Sequence, residues 1–542
     1  MSREKIDILI LGGGFGGVYT AMYLEKGLRR EERERIEITL VSRENYIVFQ
    51  PLLPEVISGT LEILHCIAPI RRLLRRTHLY TREIEGISLE KHTVRLAPGF
   101  RPKPLTLHYD HLVLALGTLL DFTKVPGLRE HAIPFKYLGD ALNLRNHLVR
   151  ILEEADIEFD PEEKRKLLTI VVGGGGFSGV ECIAEIGDFL RTATKSYGRI
   201  SANELRLVLL QSGERILPEM DERLAKFAHD ILTERGVKIC LHTRLKGVTA
   251  NEALVEDKHT KVLEEIPTRT VVATVPAGPH RMLTALSCEK ERGRVKTSNY
   301  LAVPGWPGLW AIGDCAAVPQ LDGITSPPTA QHALRQAQTC AFNILARIRQ
   351  ENPRPFTFSG LGKLCSLGHR SAVVDILGLK LSGFSAWVLW RIVYLFKFPG
   401  TAGKIRIFTD WMMDLFLPRD TTQVRIFQQE DVAQEHFEAG EMIIEKGDYG
   451  DKVYFIVRGE VAVMLNGKEV ALLKEGDVFG EMALVSDKPR VADCLARTPL
   501  DVVAVSRPAF HRLLAHMPGV RGVMESIMSE RLGEEVDLGE NV

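Results

Sequence analysis

The residues best suited to chemistry are two glycine clusters of one design. Gly12, Gly14 and Gly17 follow the apolar run Ile8 to Leu11, and Gly174, Gly176 and Gly179 follow Leu168 to Val172. Each has GxGxxG spacing between a strand pattern and a helix pattern. The first glycine makes the tight turn, the second lets backbone approach a pyrophosphate, and the third lets helix pack on strand. The helix that starts there offers free N–H groups to phosphates. One such turn is a weak signal, because glycine turns also serve structural ends; two in one chain predict two dinucleotide sites.

The elements around these turns must supply the remaining contacts. The strand Ile36 to Val41 ends at Ser42, where dinucleotide folds place a ribose-binding carboxylate. Glu44 either makes that contact or is a solvated loop charge. Leu205 to Leu210 ends at Gln211, whose amide does not repel a 2'-phosphate, so NADPH (helped by Arg215) and NADH both stay open. Leu112 to Leu116, meeting Gly117, reads as a strand returning to the ligand edge. Leu309 to Ile312 ends in Gly313 and Asp314, the latter a helix cap or, in a two-nucleotide protein, a contact to a flavin ribityl chain. Ala330 opens a helix aimed at the same edge. Glu181 lies in the first turn of its helix, which the helix dipole alone favours.

Bulk properties narrow the classes. A chain of 542 residues is too long for one core, and 45% hydrophobic residues, 26% charged residues and a net charge of -1 give no electrostatic case for nucleic acid. Met1 to Lys5 run charged into the first strand without a signal-peptide pattern, so the catalytic part is expected to face the cytoplasm. The eight cysteines lack CxxC or CxxxxC spacing, so neither a metal site nor a disulfide framework is expected.

Phe49 to Pro54 reads as a rigid apolar loop, Ala141 to Glu154 as an amphipathic helix, and the charged run through Lys166 as a solvated connection. Phe384 to Phe398 is aromatic and apolar but carries Arg391 and Lys397 and falls short of the roughly 20 residues that a spanning helix needs. Lys404 to Leu417 places Ile405, Phe408, Trp411, Met412, Leu415 and Phe416 near one face. The pair reads as amphipathic helices lying in a membrane interface, with core or dimer packing as the alternative. Beyond Arg419, short strands punctuated by Gly440, Gly447, Gly459, Gly467 and Gly476 suggest an antiparallel roll.

From about Ile6 to Arg419 the chain resembles the type II NADH:quinone oxidoreductases, flavoproteins with two dinucleotide-binding domains. The resemblance lies in both glycine motifs, Gly313-Asp314 and the helix start Ala330-Gln331-His332-Ala333. It implies FAD on Gly12, Gly14, Gly17, Glu44, Gly117, Gly313, Asp314 and Ala330, and NADH or NADPH on Gly174, Gly176, Gly179 and Gln211. It makes Glu181 a catalytic group near nicotinamide and flavin, and Gln331 one at the quinone end. The implied chemistry is hydride transfer from nicotinamide to flavin, then two electrons to quinone, without proton pumping. Ser42, Gln211, Arg335 and the loop Val275-Pro276-Ala277-Gly278 depart from the family pattern.

About Glu430 to Leu532 resembles the cyclic-nucleotide-binding domain, carried by Phe479 to Leu484 and Pro489-Arg490-Val491-Ala492. This implies cAMP or cGMP as an effector at Gly480, Glu481, Arg490 and Ala492, with Arg490 on the phosphate and Glu481 on the ribose. Pro508 to His516 and Gly519 to Leu532 would be hinge and lid.

The expected architecture is α/β: two Rossmann-like domains, amphipathic membrane-anchor helices and a C-terminal jelly-roll β-roll. Residues 1–140 with 300–355 form the FAD domain, 141–299 the NAD(P)H domain, 356–420 the anchoring region and 425–535 the cyclic-nucleotide domain. The expected partners are quinone and the cytoplasmic face of a membrane, with a homodimer left open. Two rivals stand beside this reading. One is a sulfide:quinone-type flavin reductase, suggested by Cys182 after Glu181 and Cys315 after Asp314; the other is a redox and cyclic-nucleotide sensor with little turnover.

Overall fold

The computed structural model describes residues 5–98, 104–274, 277–320, 323–417, 419, 422, 432–448, 452–482 and 490–532. The chain divides into two compact units, residues 1–424 and 425–542.

The first unit is built on two five-stranded sheets of one plan. One runs in the order Leu309–Ala311, His111–Leu114, Ile6–Leu11, Ile36–Ser42, His78–Thr81, every neighbour parallel. The other runs Ala132–Pro134, Thr270–Ala273, Thr169–Gly173, Arg206–Leu210, Val237–Cys240, again all parallel. Parallel sheets are covered on both faces, so their central strands are continuous apolar runs. Ile8 to Leu11 and Ile170 to Val172 are accordingly at most 1% exposed. Each central strand feeds a helix, Phe15–Gly27 in one fold and Phe177–Ala193 in the other.

Two stretches expected to be irregular are helical. Gln50–Leu52 and Leu53–Ile57 form consecutive helical turns whose residues 53 to 57 are all buried, because the proline-rich run packs under the Leu138–Ile157 helix. The charged run before Lys166 is the helix Pro161–Leu167, started by Asp160, whose carboxylate accepts the Glu162 N–H at 2.9 Å. Glu163 then pairs with Lys166 at 2.6 Å and Arg269 at 2.7 Å, which fixes it to the strand edge rather than leaving it as a linker.

After the second fold comes an antiparallel sheet of Gly362–Ser366, Ala372–Ile376 and Leu379–Gly383, followed by helices Phe384–Lys397 and Thr401–Met413. The second unit pairs two four-stranded sheets, Val432–Phe437, Leu500–Ser506, Lys452–Arg458, Val478–Phe479 and Met442–Ile444, Asp493–Ala496, Val461–Leu465, Lys468–Leu473. Helices Arg507–His516 and Pro518–Leu532 close it, with Phe510, Leu514, Met524 and Met528 packed on Val453, Val478 and Val505.

Candidate functional site

The two glycine turns are nearly superposable in their constraints. Gly12 and Gly174 both have φ of +117°, where glycine alone is comfortable. A Cβ on Gly17 would lie 1.9 Å from the Gly12 carbonyl oxygen, and one on Gly179 1.7 Å from that of Gly174. The middle glycines differ in kind: a Cβ on Gly14 or Gly176 meets nothing within 4 Å, leaving open ground over each turn. Gly14 and Gly176 are also the N-cap residues of their helices, and neither helix has a side-chain cap. Uncapped helix N–H groups facing open space fit a pyrophosphate in both places.

Around the first turn, Ser42 is buried and its Oγ lies where a Cβ on Gly13 would come within 2.0 Å, so this residue packs the turn from beneath. Glu44 is exposed, beside Tyr46. Gly117 has φ of +67° with open space at its Cβ position. Burial holds the Asp314 carboxyl above its ordinary range, opposed by Lys136 and Arg294. The Gly313 N–H donates to Gln336 Oε1 at 2.7 Å, and Lys136 Nζ donates to Thr118 Oγ1 at 2.9 Å. Ala330 opens the Ala330–Arg349 helix behind its cap Thr329. The set of open glycines, one half-buried carboxylate and two cations suits a dinucleotide with a polyhydroxyl chain. Lys136, Arg294 and Gln336 went unread as site residues; no spacing rule ties them to position 314.

At the second turn Gln211 lies beneath Gly175. Its Oε1 accepts the Gly175 N–H at 3.3 Å and its Nε2 donates to the Arg215 carbonyl at 2.9 Å. Arg215 is turned back on the Pro218 and Met220 carbonyls at 3.1 and 3.3 Å. Val275 and Pro276 lie outside the described residues; Ala277–Pro279 pairs with Thr118–Leu120 and so ties the two folds together.

Glu181 and Gln331 hold the two ends of one strand. Ser366 N–H donates to Glu181 Oε1 at 3.0 Å, while Leu361 N–H donates to Gln331 Oε1 at 3.1 Å and Gln331 Nε2 donates to the Gly362 carbonyl at 3.2 Å. At about 3.4 Å per residue the two anchor points are on the order of 15 Å apart, so the side chains are linked by this strand without touching. Burial pushes the Glu181 carboxyl up to about 8, with the Ser366 N–H opposing. Glu185 and Asp188, one and two turns further on, are buried as well. Sequence reasoning passed over both, although their i, i+4, i+7 spacing from Glu181 was visible.

The aromatic helices differ in detail from expectation. Phe384, Val388, Ile392 and Phe396, spaced by four, are 37 to 74% exposed, and on the next helix Ile405, Phe408 and Met412 are 36 to 63% exposed. Trp411, expected on that outer face, is instead 4% exposed and donates its indole N–H to Glu55 Oε2 at 2.7 Å. Arg391 also turns inward, stacked over Trp387 and Trp411 and 3.6 Å from Glu55. The charge that seemed to interrupt the apolar face therefore does not lie on it. Among the described residues no helix is long and apolar enough to cross a membrane.

Neither cysteine near the nucleotide turns is set up as a thiolate. Cys182 and Cys315 are buried; burial pushes the Cys315 thiol up to about 11 and Cys182 higher still.

In the second unit Gly480, Glu481 and Arg490 meet. Glu481 is 1% exposed and pairs with Arg531 at 2.7 Å, while the Arg490 guanidinium donates to the Gly480 carbonyl and, at 2.7 Å, to that of Lys452. Ala492 is half-buried nearby in sequence. The expected cassette residues 483–489 lie outside the described residues. Arg531, on the helix expected as a lid, was not singled out from the sequence.

Comparison with known proteins agrees with this geometry. Residues 6–337, more than half of the chain, match the family described as pyridine nucleotide-disulphide oxidoreductase; residues 361–420 match the NDH2 C-terminal domain and 434–517 the cyclic nucleotide-binding domain. The chain is 30% identical over 414 residues to demethylphylloquinone reductase NdbB of Synechocystis, covering 76% of this chain and 97% of that one. It is 29% identical over 445 residues to the type II NADH:quinone oxidoreductase Ndh of Mycobacterium tuberculosis, covering 80% and 92%. The structure of NDH2 from Plasmodium falciparum in complex with NADH aligns with a TM-score of 0.71 at 21% identity, covering 77% of this chain and all of that one, which is a likeness of fold. Two nucleotide turns, a buried glutamate held by the C-terminal strand and the family matches lead to one conclusion: the chain belongs to the pyridine nucleotide-disulphide oxidoreductases and, within them, to the type II NADH:quinone oxidoreductases, with a cyclic nucleotide-binding domain at its C-terminal end.

Proposed function

We propose that the first fold holds FAD and the second holds the nicotinamide nucleotide. Gly12, Gly14 and Gly17 would seat the flavin pyrophosphate, Asp314 the ribityl chain, and Gly117, Gly313 and Ala330 would let backbone approach it. Glu44 stands at the ribose end. Gly174, Gly176, Gly179 and Gln211 would take NADH or NADPH. When bound, the flavin supplies two-electron chemistry between nicotinamide and quinone. The protein's own work is positioning, since holding donor and acceptor in contact makes the transfer effectively unimolecular.

Glu181 is the residue through which the chain would handle a proton. Raised to about 8 by burial, its carboxyl is mostly protonated at neutral pH and can both give and retake a proton there. Gln331 would orient the quinone end, its amide held by Leu361 and Gly362. The exposed row Phe384, Val388, Ile392 and Phe396 supports peripheral attachment to the cytoplasmic face of a membrane, where quinone is found. The second unit would bind cAMP or cGMP as effector on Gly480, Glu481, Arg490 and Ala492. The single observation that carries the reading is the repeated open glycine turn facing an uncapped helix.

The test is anaerobic titration of the purified protein with NADH and with NADPH, then with a ubiquinone or menaquinone analogue, with and without cyclic nucleotide. Bleaching of a yellow chromophore and its return on adding quinone is the expected result. A protein that is colourless, or that no nucleotide bleaches, overturns the proposal.

A further inference from the structure

Two stretches of the chain hold no acid. Residues 63–82 and 376–409 contain neither Asp nor Glu, although 70 of the 542 residues are acidic. The first carries Arg71, Arg72, Arg75, Arg76 and Arg82, and the second Lys380, Arg391, Lys397, Lys404 and Arg406. A solvated surface ordinarily mixes both signs of charge, so two one-signed stretches that meet in the fold call for a partner of opposite charge.

They do meet. Leu73 ends the short Ile70–Leu73 helix of the first nucleotide fold, and a Cβ on Gly400, between the two aromatic helices, would lie 3.9 Å from Leu73 Cδ2. Close by, the Ile63–Cys66 turn packs on the Thr401–Met413 helix, and the Phe398 ring lies 5.3 Å from that of Phe49. Phe396, the 74% exposed end of the apolar row, stands four residues before Gly400, a reach of at most about 14 Å.

The arginines of the first stretch are presented rather than packed. Glu25 spends its carboxylate on the main chain: Oε1 accepts the Arg76 and Thr77 N–H groups at 2.9 Å, and Oε2 that of Arg75 at 3.2 Å. Arg71 folds back onto the Leu79 carbonyl at 3.1 Å. Arg72, Arg75 and Arg76 are exposed, and their side chains make no ion pair or hydrogen bond among the described residues. On the second stretch Lys380 is paired with Asp221 and Arg391 is turned inward. Lys397 and Arg406 are exposed, and Lys404 lies 5.9 Å from the Phe396 ring while donating to the Phe396 carbonyl at 2.9 Å. Asp410, the acid that ends this stretch, is taken by His65 at 2.6 Å and the Glu62 N–H at 3.1 Å.

Unpaired cations beside exposed aromatic and aliphatic side chains suit a bilayer surface that bears anionic headgroups. Its negative potential attracts basic groups and decays within a Debye length, and guanidinium matches phosphate with two parallel hydrogen bonds. A second copy of the chain suits the row less well, because a symmetric contact would bring like charges together.

We propose that the turn carrying Arg72, Arg75 and Arg76 is a docking site for the phosphate headgroups of anionic lipids, so that the first nucleotide fold, beside the C-terminal helices, holds the membrane. This rests on the reading that the exposed apolar row enters a membrane. One weak anchoring signal gives reversible attachment, and an added electrostatic signal makes it stable.

The test is sedimentation of the full-length protein with phosphatidylcholine vesicles, with and without phosphatidylglycerol, at low and high salt. Wild type is expected to bind the anionic vesicles more tightly and to lose that advantage in salt. The triple variant Arg72→Gln, Arg75→Gln, Arg76→Gln should lose about a hundredfold in binding to anionic vesicles. It should match wild type on phosphatidylcholine alone and in NADH oxidation with a water-soluble quinone. Arg72→Gln and Arg76→Gln, each expected to lose about fivefold, serve if the triple variant fails to fold. Equal wild-type binding to both vesicles, or arginine variants that bind like wild type, overturns the docking site and leaves membrane attachment standing. A wild-type protein that binds neither vesicle overturns the attachment reading and the docking site with it. So does a dimer that Phe384→Ser with Phe396→Ser dissociates in the absence of vesicle binding, which would give the row to a second copy.

Discussion

The helices that follow the two glycine turns can be compared position by position. Counted from Gly17 and Gly179, the first carries Tyr19, Tyr23 and Lys26 where the second carries Glu181, Glu185 and Asp188. Tyr19 and Tyr23 are half-buried with ring centroids 6.5 Å apart, and Lys26 is exposed. The three acids are at most 8% exposed. Each helix packs on the two central strands of its own sheet, and the first does so without acids at these places. What differs is the cover: the strand Gly362–Ser366 and the Leu53–Ile57 helix pack on the second helix, whereas the Ala330–Arg349 helix packs on the first. Buried acids there cost stability that the first helix, with Tyr19, Tyr23 and Lys26 at the same places, does not give up.

The strongest way to break the symmetry is at the third glycines. Gly17→Ala and Gly179→Ala each force a methyl to within 2 Å of a carbonyl oxygen, at a cost of about 3 kcal/mol in overpacking. Gly17→Ala is expected to purify without flavin colour, whereas Gly179→Ala stays yellow and is no longer bleached by NADH. Absorbance spectra before and after NADH separate the two.

The next effect is on stability against pH. The folded Glu185 carboxyl lies near 8, above its unfolded value near 4.5, so the folded state binds more protons between those limits. Its contribution is complete below pH 4.5 and is lost as pH rises through about 8. Glu185→Gln should therefore melt higher than wild type at pH 9, by on the order of 2 kcal/mol, with little difference at pH 4.5. Thermal melts at the two pH values check this.

A smaller effect is expected where Gln211 replaces the ribose carboxylate. Gln211→Glu places a charge against a 2'-phosphate and should lower kcat/KM for NADPH about tenfold, or roughly 1.4 kcal/mol, with NADH changed far less. Steady-state kinetics with both nucleotides decide it. Smallest of all is Tyr23→Glu, which copies the second helix onto the first. Since position 23 is only half-buried, the melt should shift by less than about 1 kcal/mol with no pH dependence above 6.

Some of this was readable in the sequence for a physical reason. The constraints on Gly12, Gly14 and Gly17 are local, arising within six residues of chain, so spacing reports them. Asp314 is similar, sitting directly after a short apolar strand. Glu185 could be seen at helical spacing from Glu181, but its meaning depends on Arg235, Arg391 and Arg419, which no pattern connects to it. Gln336 is invisible for the same reason: its partner is a backbone N–H at residue 313. Arg391 misled because a charge in an apolar run looks like an interruption, when the helix turns it toward Glu55. Arg531, on the last helix, depends on a contact spanning 50 residues.

The bond from Ser366 to Glu181 also sets a timetable. The two partners are 185 residues apart, an interval of about 10 to 40 s at ribosomal speeds of roughly 5–20 residues per second. The last strand of the two parallel sheets is synthesised by Ala311 and the helix that packs on Phe15–Gly27 by Arg349, so at the end of that interval both nucleotide folds can close while the acidic face of the second helix still lies in water. Glu181, Glu185 and Asp188 are then ordinary ionised carboxylates, and they take up protons only when the last segment docks. Docking is thus a protonation event, and acidic conditions should speed the final step of maturation.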